Sequence, residues 1–74
     1  MTLVLSNKAK TDIGKKLREV REKKRLTQLE VAEKAGISAS YYARLERGVE
    51  KPSLAFIEVI TKALKIKSSD ILPF

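Results

Sequence analysis

Two arginines, Arg44 and Arg47, share one side of a short stretch, "ASYYARLER", with three small residues. At 100° per residue, Ala39, Ala43, Arg47, Ser40 and Arg44 fall on one arc of about 140°, and Tyr41, Leu45, Tyr42 and Glu46 fall on the other. The apolar arc must pack inward, which leaves the small residues and the arginines outside. A guanidinium offers a rigid fork of donors that fits a phosphate or the O6 and N7 of guanine. Small neighbours let the helix backbone come close to whatever it meets. Ordinary exposed helix faces are instead rich in Lys, Glu and Gln, which favour helix and solubility. The arc therefore suits a helix laid in a DNA major groove, with a plain solvent-exposed face as the alternative.

Other chemistries are excluded more firmly. The chain contains neither histidine nor cysteine, so disulfides, thiolate metal sites, cysteine nucleophiles and histidine catalysis are absent. The carboxylates are scattered among lysines, and no glycine-rich phosphate loop occurs. The expectation is a protein that is not an enzyme, with no cofactor, no metal and no evident small-molecule effector. Sixteen Lys plus Arg stand against nine Asp plus Glu, a formal charge of +7, which favours an anionic partner. The early apolar run "LVL" is far shorter than a signal-peptide core, and no run approaches the roughly 20 residues of a membrane span. A cytoplasmic protein, nucleoid-associated when on DNA and without a membrane partner, is expected.

The elements that would position the arginines follow from spacing and capping. A length of 74 residues suits one domain, and a chain this short buries only about 60% of its unfolded surface. Residues 1–10 read as a flexible arm, and 11–74 as one domain. Ile13, Leu17 and Val20 recur at helical spacing, predicting a first helix from about Thr11 to Lys24 with Thr11 or Asp12 as its cap. "TQLE", residues 27–30, fits a capping box in which Thr27 and Glu30 bond reciprocally. The second helix then runs through Val31, Ala32 and Ala35 to Gly36, a residue suited to the left-handed position past a helix end. Ser38 caps a third helix over 39–47, ended by Gly48. Ser53 caps a fourth, whose buried stripe is read as Phe56, Ile57, Ile60, Ala63 and Leu64. "SSDILPF" adds a one-turn helix capped by Ser68 or Ser69. The class is all-α, with five helices.

A helix, a short turn at "AGIS" and a second helix make the helix-turn-helix arrangement. Over roughly residues 12–72, with the motifs "LTQ", "VAEKAGIS", "LERG" and "PSL", the sequence resembles the lambda-repressor-like (XRE/Cro) helix-turn-helix family. That resemblance implies a compact five-helix domain that binds double-stranded DNA, usually as a dimeric transcriptional regulator on a palindromic operator. Restriction–modification controllers, small phage repressors and self-regulating antitoxins all have members of this shape.

The resemblance also implies roles. Gln28 corresponds to a glutamine that holds phosphate at the start of helix 2, where free amides favour an anion; support of the helix cap is its plainer role. Ser38, Ala39, Ser40, Ala43 and Arg44 occupy the groove-facing positions, with Arg44 the leading base reader. Because most of these side chains are small, DNA shape is expected to contribute to recognition. Tyr41, Arg47 and Lys51 are candidates for backbone phosphates, with a solvated side chain the alternative for Lys51 and a phosphate contact the alternative for Arg44, while Tyr42 falls at a core position. Glu46 sits on the inward arc, where an unpaired carboxylate is costly, and Arg21 corresponds to the arginine that pairs with it. Ile71, Leu72 and Phe74 are the candidate dimer contact, with coverage of the chain's own core as the alternative. A competing reading of the whole makes the domain a protein-docking module, such as an antitoxin, with DNA binding secondary.

Overall fold

A computed structural model describes residues 7–72 of the protein. Four α-helices and one 3-10 turn follow one another: α1 (Asn7–Lys23), α2 (Gln28–Ala35), α3 (Ala39–Arg47), α4 (Leu54–Leu64) and the turn Ser68–Asp70. All regular structure among the described residues is helical. The expected fifth helix is thus a single 3-10 turn, and the α-helices number four. Neither serine caps the turn through its side chain; the Lys67 N–H donates to Asp70 Oδ2 at 2.9 Å instead.

Local chemistry sets most helix ends. The box before α2 is closed in both directions, with the Glu30 N–H donating to Thr27 Oγ1 at 3.0 Å and the Thr27 N–H to Glu30 Oε1 at 2.8 Å. The Thr27 backbone bond holds the Glu30 carboxyl below its usual range. Ser38 accepts from the Tyr41 N–H at 3.0 Å and Ser53 from the Phe56 N–H at 3.2 Å, capping α3 and α4. Gly36 and Gly48 end α2 and α3 with φ of 72° and 75°, conformations that an L side chain adopts only at a cost.

The first helix starts earlier than its apolar spacing predicts. α1 begins at Asn7, so Thr11 and Asp12 lie inside the helix rather than at its start. The sequence "KAK" ahead of Thr11 contains good helix formers but no apolar side chain that needs a core. Helix therefore extends beyond the stripe that signals it. Residues 1–6 of the expected arm lie outside the described residues, and residues 8–10 are helical.

The core comprises Ile13 and Leu17 of α1, Val31 and Ala32 of α2, Tyr42 and Leu45 of α3, Ile57, Ile60 and Leu64 of α4, and Ile71. In α4 the buried stripe differs at three positions from the one its spacing predicts. Phe56 is 39% exposed and Thr61 is buried in the stripe instead. Thr61 is tolerated there because its hydroxyl donates to the Glu58 carbonyl at 3.0 Å, which removes the cost of burying an unpaired polar group. Ala63 is half-buried.

One approach is unusually close. At Gly14, within α1, an added Cβ would stand 2.5 Å from the Leu45 carbonyl oxygen and 2.6 Å from that of Glu46. The α1 and α3 backbones thus meet where only a hydrogen fits. Nothing in the helical pattern marks this glycine as a crossing point.

Candidate nucleic-acid interface

The outward side of α3 is built as the helical wheel requires. Tyr42 and Leu45 are buried, Ser40 and Arg47 are exposed, and Ala39, Ala43 and Arg44 are intermediate. Ser38, just before the helix, is exposed. Ser38, Ala39, Ser40 and Ala43 thus line the cap and the first turns of α3 with small side chains, and Arg44 stands beside them. Lys51 is exposed after Gly48 and, with Arg47, adds positive charge past the helix end.

Behind this face sits a polar cluster that ties three helices together. Arg21 of α1 grips Glu46 of α3 with two bonds, Nε to Oε2 at 2.6 Å and Nη2 to Oε1 at 3.1 Å. The side chains are 15% and 3% exposed. Gln28 at the start of α2 donates Nε2 to Glu46 Oε1 at 3.1 Å, and Arg21 Nη1 donates to the Leu26 carbonyl at 2.9 Å. Burial alone would raise the Glu46 carboxyl, but the Arg21 and Gln28 donors outweigh it and hold the group below the usual glutamate range. The hydrogen bond to Glu46 likewise holds Arg21 above its usual value. Two-pronged, charge-assisted pairing of this kind fixes orientation as well as energy.

Two tyrosines complete the helix. Tyr42 is fully buried, and among the described residues its hydroxyl makes no hydrogen bond of ordinary geometry. Burial, and then the close approach of the Glu46 carboxylate to that hydroxyl, push it far above the usual tyrosine range. The Tyr41 ring packs on Phe56 of α4 at 5.0 Å between centroids, and partial burial raises its hydroxyl too. Arg44 is engaged as well, through Glu50 and Ser40, each at 3.0 Å.

Of the residues assigned to the dimer contact, only Ile71 and Leu72 are among the described residues, and Ile71 is not on a free surface. Ile71 is only 1% exposed within this one chain, so it belongs to the core and is withdrawn from that role. The 3-10 turn folds back and places this side chain against the other core residues. Leu72 is half-buried at the edge of the same core, and Phe74 lies outside the described residues.

Three positions matter to this surface in ways that residue type and spacing do not signal. Gly14 is the close crossing under α3, and a lone glycine inside a helical pattern was its only signal. Glu50 is the partner of Arg44, six residues away across a turn that no periodicity bridges. Phe56 supports Tyr41 because the end of the α4 stripe rolls outward.

Two helices joined at Gly36, the second presenting a small and arginine-bearing face backed by a fixed ion pair, define a helix-turn-helix domain. The chain belongs to the helix-turn-helix family HTH_3, whose model matches residues 17–71. It is 40% identical over 60 residues to the immunity repressor protein of Bacillus phage phi105, covering 81% of this chain and 42% of that protein. It is also 32% identical over 71 residues to the control protein C.BamHI of Bacillus amyloliquefaciens, covering 95% and 88% of the two chains. The crystal structure of the restriction-modification controller protein C.AhdI from Aeromonas hydrophila superposes with a TM-score of 0.83 at 33% identity, over 85% of this chain and 96% of that one. The chain thus spans less than half the length of the phage repressor but most of each controller protein.

Proposed function

We propose that the protein is a sequence-specific double-stranded DNA-binding regulator of transcription that lays α3 in the major groove. The observation that carries this reading is the outward face of α3, where small side chains and Arg44 stand together on a helix braced from behind by Arg21 and Glu46. A net charge of +7 supports it, as does kinship to a phage repressor and to controller proteins. In this reading Ser38, Ala39, Ser40, Ala43 and Arg44 face bases, while Gln28, Tyr41, Arg47 and Lys51 face phosphates. Gln28 spends one amide hydrogen on Glu46 and keeps the other for a phosphate at the start of α2.

One recognition helix covers only a few base pairs. A homodimer that sets two such helices about 34 Å apart, one DNA turn, doubles the site and makes it palindromic. With Ile71 committed to the core, the contact must be carried by other surface. Sedimentation equilibrium without DNA tests it, and a monomer well above micromolar concentration argues against a preformed dimer.

Selection from a pool of randomised duplexes at near-physiological salt tests the reading as a whole. A two-fold symmetric consensus with half-sites one turn apart is the expected result. Absence of any enrichment overturns sequence-specific binding and turns attention to a protein partner.

Given that consensus, Arg44→Ala is expected to lose about 1–3 kcal/mol of discrimination at one base position per half-site. Arg47→Ala is expected to weaken binding to all sequences alike. It should also lower the slope of log K against log salt by about one per recognition helix. Equal losses of discrimination in the two variants would refute this division of roles.

A further inference from the structure

Arg44 is not a loose surface arginine. Its Nε donates to Glu50 Oε1 at 3.0 Å, its Nη1 donates to Ser40 Oγ at 3.0 Å, and its Cζ lies 5.8 Å from the centroid of the Tyr41 ring. Tyr41 is itself braced by Phe56, with ring centroids 5.0 Å apart and planes inclined by 49°. The guanidinium is thus held by the turn after α3, by the preceding turn of α3 and by an aromatic platform that rests on α4. Arg44 and Glu50 keep 39% and 35% of their side-chain surface, so the held group still faces solvent.

A guanidinium carries five N–H donors. Glu50 and Ser40 take one each, which leaves one on Nη1 and both on Nη2. Arginine reads guanine through two parallel N–H groups, presented either along its Nε side or by its two Nη ends. With Nε engaged by Glu50, the side-on approach is closed, and the end-on approach is the one for which both Nη groups keep an N–H to give.

We propose that Glu50 is a positioning residue for base readout, holding Arg44 by Nε so that its two Nη groups meet a guanine end-on. This rests on the DNA-binding reading above. A carboxylate near the phosphates lowers affinity for every sequence alike, whereas a buttress for Arg44 raises selectivity at one base. The two effects have opposite signs on removal of Glu50, and a merely structural role produces neither.

The test uses the full chain with the randomised duplex pool. Wild type is compared with Glu50→Ala, Glu50→Gln, Arg44→Ala and the double variant Arg44→Ala/Glu50→Ala. The enriched duplex is then competed against the same duplex with its Arg44-dependent guanine changed to adenine. Glu50→Ala is expected to bind unselected DNA as well as wild type or better, and to lose about three- to tenfold in guanine preference, the worth of one hydrogen bond. Glu50→Gln, which keeps an acceptor but not the charge, falls between the two. In the Arg44→Ala background, Glu50→Ala changes the preference no further.

An unchanged guanine preference in Glu50→Ala overturns the proposal. So does an equal loss with and without Arg44, or a uniform weakening on all DNA. Enrichment by wild type that Arg44→Ala leaves intact also overturns it while sparing the DNA-binding reading. If wild type enriches no sequence, that reading fails, and the proposal fails with it.

Discussion

Glu46→Ala is expected to cost about 3–5 kcal/mol of folding stability, the loss typical when one side of a buried ion pair is removed. The deletion strands Arg21, which is 15% exposed and is left with the Leu26 carbonyl, and it frees the amide of Gln28. A domain of this size is stable by only about 4–11 kcal/mol, so the variant should stand near the edge of unfolding. Its melting temperature should fall by roughly 15–30 °C. Thermal and urea melts of Glu46→Ala, Arg21→Ala and the double variant measure this directly. Strong non-additivity is expected, because either single change breaks the same contact. A melting temperature within two or three degrees of wild type (~0.5 kcal/mol) would show that the pair contributes little.

The same pair sets an acid limit. The Glu46 carboxyl is depressed in the folded chain, so the stability it adds is present in full above the ordinary glutamate range. It is lost as pH falls through the depressed folded value. Below that range wild type should lose stability more steeply than Glu46→Gln, which has no proton to take up at that position. Parallel acid limbs for the two proteins would remove Glu46 from the account of acid unfolding.

Gly14→Ala carries the second large effect, and its sign is diagnostic. In an open helix, alanine for glycine stabilises by up to about 1 kcal/mol. Here the new Cβ meets the backbone oxygens of Leu45 and Glu46 at 2.5 and 2.6 Å, and backbone cannot swing aside as a long side chain would. α1 must move off α3, and overpacking of that kind costs about 1–3 kcal/mol, sometimes more. A net loss of about 2 kcal/mol is therefore expected. Arg21 lies seven residues beyond Gly14, on the same face of α1, so lifting that helix also stretches the reach to Glu46. Gly14→Ala should accordingly cost less in an Arg21→Ala background than in wild type. A stabilising Gly14→Ala would show that α1 has room for a methyl group against α3.

Much of this fold is legible from short stretches. Thr27 with Glu30, Ser38, Ser53, Gly36 and Gly48 mark helix ends because a cap is made by neighbours three or four residues away. The inward and outward arcs of α3 follow from its own sequence, so the surface offered to a partner is visible before any tertiary contact is known. The start of α1 is not legible in the same way. Helix propensity carries it back to Asn7 without any apolar signal, and threonine is an ambiguous marker because it also sits inside helices. Phe56 shows the limit of periodicity at the edge of a stripe, where a small rotation of α4 exchanges it for Thr61.

Charge, the absence of histidine and cysteine, helix ends and the small arginine-bearing arc of α3 are consequences of composition and of interactions within one or two helical turns. They hold whatever the chain does at longer range. The distance between α1 and α3 at Gly14, the capture of Arg44 by Glu50 and the withdrawal of Ile71 into the core depend on how separate segments meet. Each of these contacts joins atoms whose sequence separation carries no periodic signal. Only the packing of the helices brings the atoms together, and so only that packing settles which side chains are held and which are free.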